Sequence, residues 1–237
     1  VEVHKGAAQQ PGDDEVRTPT PSEQTYVPLL AAFTHFDRTL LGGALPDCLI
    51  SLQRGCSYGY FAADRIVAIG GSARADEIAL NPTHFVVRPS KETLATLVHE
   101  MVHLWQHHFG KPLPRGYHNL QWAAGMRRMG LEPSSTGAPG GKPTGYAVSH
   151  YIIEGGPFDL SFKAFEATGQ TIGWGDAPVQ GLGGAPQVMA PLTKQKRETF
   201  DCPRCGQQTA QATPKTRIKC GDCDAMMVTR PRAAVGL

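Results

Sequence analysis

The run His99-Glu100-Met101-Val102-His103 holds two imidazoles four residues apart, with a carboxylate directly after the first. On an α-helix, positions i and i+4 share one face, about 6 Å apart along the axis. His99 and His103 can therefore converge on one Zn²⁺. Glu100 then stands beside the metal's open position, where it can take a proton from water and pass it to a leaving amine while the metal polarises a carbonyl. That is the chemistry of amide hydrolysis, and it predicts an enzyme, a zinc metallopeptidase with Glu100 as its catalytic residue. The plain alternative is a solvated helix face carrying two histidines. The apolar residues on both sides of the motif argue against it.

A catalytic zinc needs a third protein ligand. The metzincin spacing would put glycine at Gln106 and histidine at Phe109, so that arrangement is excluded. His107 continues the face, but it lies eight residues from His99, about 12 Å of helix rise, too far for one ion. His118 is the better candidate, because Gly110, Pro112, Pro114 and Gly116 allow the chain to reverse and present it from the first turn of a following helix. Glu132 and Glu154 stay open as carboxylate ligands. His107 and His108 read as surface groups or as donors behind the ligands. Arg115, Tyr117, Tyr146, His150 and Tyr151 are candidates for stabilising an oxyanion, and no single one stands out.

Four of the six cysteines form a second constellation. Cys202-Pro-Arg-Cys205 and Cys220-Gly-Asp-Cys223 are two CxxC knuckles that can close a tetrahedral Cys₄ zinc site, with Gly206 and Gly221 suited to the tight turns. Two separate redox pairs are a poor alternative, and the metal should form part of the segment's folding energy. Cys48 and Cys56 stand apart and read as ordinary thiols. The expected cofactors are thus two Zn²⁺, one catalytic and one structural. The formal net charge is +2, but residues 192–237 hold nine Lys or Arg against four Asp or Glu. Any anionic partner would meet this segment, where Lys194, Lys196, Arg197, Arg204, Lys215, Arg217 and Lys219 could contact phosphates; the alternative is ordinary solvated surface charge.

Hydrophobic spacing supplies the elements that must position these groups. Tyr26, Leu29, Leu30, Phe33, Leu40 and Leu41 recur at helical intervals, with Pro28 tolerable in a first turn and Gly42-Gly43 as the stop. Strand candidates at 48–54, 58–68 and 76–81 are close enough for antiparallel pairing. Ser90 is a candidate N-cap for the motif helix, whose buried stripe is Leu94, Leu97, Val98, Met101, Leu104 and Trp105. A second helix is predicted over 118–129, with Trp122, Met126 and Met129 inward. Residues 134–190 are rich in Gly and Pro. Phe158, Leu160 and Phe162 alternate there as in a half-buried strand, and mobile stretches are expected near 134–145 and 180–190. The polar start, with Asp13, Asp14 and Glu15, lacks the layout of an export signal, and no apolar run is long enough to span a membrane. A cytoplasmic protein with no membrane partner is expected.

The run Thr96-Leu97-Val98-His99-Glu100-Met101-Val102-His103, followed by Gly116-Tyr117-His118-Asn119, resembles the SprT/Spartan family of metallopeptidases. Phe33 to Leu45, Ile78-Ala79-Leu80-Asn81-Pro82, and Trp122, Met126 and Gly130-Leu131 are similar to its neighbouring elements, and the terminal cysteine pairs to its ribbon. The resemblance implies His99, His103 and His118 as ligands of the catalytic zinc and Glu100 as the base. It also implies substrates that are proteins bound or crosslinked to DNA. The expected architecture is α+β, a small antiparallel sheet packed on the HExxH helix, with a C-terminal Cys₄ ribbon. Its parts are a flexible leader (1–24), a SprT-like core (25–133), a Gly/Pro-rich segment partly packed on that core (134–190), and the ribbon and tail (191–237). The alternative is a non-enzymatic zinc protein whose ribbon binds nucleic acid or a protein partner.

Overall fold

The structure is a computed structural model that describes residues 17–177, 198–207, 212 and 216–229. The chain divides into two compact units, residues 1–188 and 189–237. The first unit is α+β. In order it contains α1 (Pro21–Phe36), β1 (Cys48–Leu52), β2 (Gly59–Val67), β3 (Arg74–Leu80), α2 (Ser90–Phe109), α3 (Leu120–Arg128), β4 (Leu131–Ser134), β5 (Ser149–Ile152) and α4 (Pro157–Glu166). Among the described residues, no helix is long and apolar enough to cross a membrane.

Helix α1 begins within the stretch read as a leader. Thr20 caps it, with Glu23 closing the reciprocal capping box, so residues 21–24 are helical. Residues 17–20 of that expected leader precede the helix, and residues 1–16 lie outside the described residues. Pro28 sits in the middle of this helix, not in its first turn. Proline has no N–H to give the Gln24 carbonyl. That carbonyl instead accepts from the Gly173 N–H at 3.0 Å, and Trp174 Nε1 donates to Gln24 Oε1 at 2.9 Å. A Cβ at Gly173 would stand 3.2 Å from that of Gln24, so the contact suits glycine. After one π-helical turn the chain stops at Gly42, where φ is 77°.

The three-stranded sheet has the order β1-β3-β2. β2 and β3 pair antiparallel as expected, but β1 runs parallel to β3, with Ile50 opposite Ile78, so the sheet is mixed. A parallel pair needs a crossover connection; here β2 itself is that crossover. The apolar run Ile78-Ala79-Leu80 is buried and takes the centre, which leaves the less buried β1 and β2 at the edges.

Helix α2 carries the motif. Its N-cap is Pro89, not Ser90, and no side chain caps it. Leu94, Leu97, Val98, Met101 and Leu104 are fully buried, each contributing roughly 2 kcal/mol through burial. Trp105 is only partly buried, under the Arg128 guanidinium 5.0 Å from its ring centre. Helix α3 crosses closely, because a Cβ on Gly125 would stand 2.9 Å from Val102 Cγ1.

Residues 158–162 form part of helix α4, not a strand. Phe158, Phe162 and Phe165 recur at i, i+4 and i+7 and turn inward, while Leu160 is exposed. Three alternating residues matched the strand period only because the window ended before Phe165. Asp159, fully buried, is held by Lys91 and by Lys163 one turn on.

The stretch 134–145, expected to be mobile, is a built loop. Ser134 is buried and accepts from the Thr136 N–H, the Ser135 N–H donates to Lys142 O, and the Lys142 N–H donates to Ser135 Oγ. The other stretch expected to move, 180–190, lies outside the described residues. Deleting 134–145 removes Gly145, which pairs with His118 (below). The expected result is a thermal midpoint several degrees lower, together with loss of metal from the histidine cluster. A deletion that unfolds like the native chain and keeps that metal would contradict the loop's role.

In the second unit, β6 (Phe200–Asp201) pairs with β7 (Val228–Thr229). Phe200 and Met227 pack with Cys202 and Cys220 in a small core.

Candidate metal centre

His99, His103 and His118 come together, each offering a ring nitrogen within 4.8 Å of the others. His99 Nε2 and His118 Nε2 stand 3.3 Å apart. The edge of a tetrahedron with Zn–N bonds of about 2.05 Å is about 3.35 Å, so the spacing fits a zinc ion. His99 and His103 come from consecutive turns of α2. His118 comes from the residue before the N-cap of α3, not from that helix's first turn. The cap is Asn119, whose Oδ1 accepts the Trp122 N–H at 2.9 Å.

Three features fix His118. Its backbone exchanges hydrogen bonds of 2.9 and 3.1 Å with Gly145, and its Nδ1–H donates to Gly145 O at 3.0 Å, which leaves Nε2 free for metal. Buried Gln106, on α2, donates from Nε2 to Asn119 Oδ1 at 2.7 Å and to Gln121 Oε1 at 3.1 Å. The start of α3 is thereby tied to the helix that supplies the other two histidines. Fully buried Trp122 forms the floor, its ring centre 4.8, 5.2 and 4.3 Å from those of His99, His103 and His118.

Behind His99 stands His150, on β5. With His99 Nε2 turned to the cluster, its Nδ1–H donates to His150 Nδ1 at 3.1 Å. His150 thus orients a ligand from behind. Tyr117 and Tyr146 pack edge to face against each other, and Tyr151 lies opposite Glu132 across the β4–β5 pair. Glu132 is held by Arg127 at 2.9 Å and Glu154 is exposed; neither carboxylate joins the cluster.

Burial sets the electrostatics. It lowers His99 well below the usual imidazole range, His103 to about 3 and His150 to about 4, and it lowers His118 as well. All four are neutral at pH 7, and a neutral imidazole keeps the lone pair a metal needs. Glu100 is 5% exposed. Burial pushes its carboxyl up to about 8, against the opposing effect of a hydrogen bond from the Phe61 backbone on β2.

The second unit gathers Cys202, Cys205, Cys220 and Cys223, their sulfurs within 4.8 Å of one another. Cys205 Sγ and Cys220 Sγ are 3.6 Å apart, near the roughly 3.8 Å edge of a ZnS₄ tetrahedron. The knuckles repeat one another. The Gly206 N–H reaches Cys202 O at 2.9 Å, and the Asp224 N–H reaches Cys220 O at 3.0 Å. Gly206 takes the left-handed turn with φ 73°; in the second knuckle Asp224 takes it with φ 50°, not Gly221. Arg204, Arg217 and Lys219 are exposed on this unit, with Lys219 paired to Asp224 at 2.9 Å. Lys194, Lys196, Arg197 and Lys215 lie outside the described residues.

Sequence reasoning missed Gln106, Gly145 and the His150–His99 contact, and it read Trp122 only as core. The Asn119-Leu120-Gln121-Trp122 cap was a readable signal; the others depend on how distant segments fold together. Replacing His150 by Ala is expected to weaken zinc at the three histidines by about 10–100-fold. Competition with a chromophoric chelator measures this, and an unchanged affinity would rule out the orienting role.

No curated protein matches this chain. Residues 31–139, which contain the motif helix and His118, match the SprT-like family. Over that segment, just under half of its length, the chain is similar to SprT-like domains.

Proposed function

We propose that the chain is a zinc-dependent peptidase. His99, His103 and His118 hold the metal and Glu100 is the general base. The observation that carries this reading is the convergence of three neutral histidines beside a buried carboxylate. Zinc bound there would supply a Lewis acid to the scissile carbonyl and to the attacking water. Glu100 accepts the proton of that water on its carboxylate. It then returns the proton to the departing amine. Its low exposure limits competing solvent, and a bound zinc would favour the ionised carboxylate that can take a proton. Trp122, Gly145 and His150 act earlier, by holding the ligand rings in place.

Hydrolysis of an unfolded protein such as casein, abolished by chelation and restored by zinc, tests the reading; zinc-loaded protein that leaves casein intact speaks for the non-enzymatic alternative. The resemblance stated above and the basic C-terminal segment favour proteins bound or crosslinked to DNA as substrates, with the Cys₄ unit, loaded with a structural zinc, as the part that contacts DNA. That step requires salt-sensitive DNA binding and faster cleavage of a DNA-bound protein than of the same protein alone. Equal rates with and without DNA would remove it and leave the peptidase reading standing.

A further inference from the structure

A third group of metal-ligand atoms lies at the far end of α2. Asp76, His107 and His108 bring a carboxylate oxygen and two imidazole nitrogens within 4.8 Å of one another. None of these residues belongs to the His99–His103–His118 cluster. His107 lies one turn beyond His103, about 6 Å further along the helix.

The carboxylate is built into the sheet. Asp76 is 6% exposed and lies opposite Cys48 in the β1–β3 register. Its Oδ1 accepts the Asp64 N–H at 2.8 Å. That donor sits in the irregularity of β2 between Ala62 and Ile66, where Asp64 has φ 51°. One oxygen is therefore committed to the backbone, and Oδ2 faces the histidines, 2.6 Å from His108 Nε2. His107 is half-buried, its ring centre 5.8 Å from that of Phe61, and His108 is exposed. One side of the group is thus walled by protein and the other opens to solvent.

An ion pair between Asp76 and His108 accounts for two of the three groups. It does not account for His107. Neighbouring positions on a helix point about 100° apart, yet both imidazoles bring a nitrogen to the same carboxylate. We propose that Asp76, His107 and His108 form a second metal site of the first unit, binding a first-row divalent ion with open positions toward solvent. Two imidazoles and one carboxylate suit zinc, nickel, cobalt or iron(II) better than calcium or magnesium. Ligand atoms on such an ion stand about 3 Å apart at bond lengths of about 2.1 Å, so binding asks His108 to move only a few tenths of an ångström. Open to solvent on one side, the site holds metal more weakly than the more buried three-histidine group or the four-ligand Cys₄ group. It would tie the end of α2 to the β2 irregularity and the sheet.

The test is titration of the full, zinc-loaded and dialysed chain with CoCl₂, followed by calorimetry and by metal content. The expected result is one further ion per chain in the micromolar range, weakened at least tenfold in His107→Gln and in His108→Gln. His118→Ala should keep this uptake, which separates it from the proposed catalytic site. Both histidine variants alter partly or fully exposed side chains, so folding is not at stake; circular dichroism checks it. Uptake that is absent, or equal in His107→Gln and the native chain, would overturn the proposal and leave only the Asp76–His108 pair.

Discussion

Glu100→Gln is expected to lower peptide hydrolysis by roughly 10²–10⁴-fold, the range a positioned acid–base group contributes. Zinc content and fold should be retained, because Gln keeps the shape and Glu100 is not among the converging metal-ligand groups. A second signature follows from burial. When no metal is bound, burial raises the Glu100 pKa from 4.5 to about 8. The protonated form favours the folded state, so this contribution is fully present below about pH 4.5 and is lost as pH rises through about 8. After chelation, the native chain should lose stability across that window relative to the Gln variant, whose amide cannot ionise. At pH 8 the chelated variant should be the more stable of the two. Lost activity without this crossing would place Glu100 in catalysis but in a more solvated setting. Activity near the native level would remove Glu100 from the mechanism.

The second large effect concerns the Cys₄ unit. Among the described residues, Phe200, Cys202, Cys220 and Met227 make up its buried apolar cluster. Two of those four residues are themselves candidate ligands. So small a core cannot offset the entropy of ordering the surrounding chain. Structural zinc in such units supplies about 10–16 kcal/mol of apparent binding energy, which here is folding energy. Cys220→Ser, or chelation, should therefore unfold the second unit while the first keeps its own cooperative transition, since their cores are separate. Amide exchange followed by mass spectrometry reads the two units independently. Continued protection of 198–207 and 216–229 without metal would contradict the metal's folding role.

What the sequence disclosed was largely local. His99 and His103 share a helix face by spacing alone, and the CxxC pairs carry their geometry in four residues each. The chain reversal that delivers His118 was written in Gly110, Pro112, Pro114 and Gly116. What stayed hidden depends on long-range pairing. Gly145 and His150 reach the cluster only because β5 returns along β4, and a Gly/Pro-rich composition hides a loop whose order comes from Ser134 and His118. The parallel β1–β3 pair was missed because a strand served as its crossover. Helix α4 was missed because Phe158, Leu160 and Phe162 fit both periods until Phe165 is counted. Pro28 was misplaced because the partner of the freed Gln24 carbonyl, Gly173, is distant in sequence.

The most direct measurement is tightly held zinc per chain, after dialysis against metal-free buffer, for the native protein and for His118→Ala, with folding checked in each. The expected result is two zinc ions per native chain, falling to about one in the variant as the three-histidine site empties and the Cys₄ site stays filled. Two ions in both proteins, or one in the native protein, would contradict a zinc site built on His99, His103 and His118.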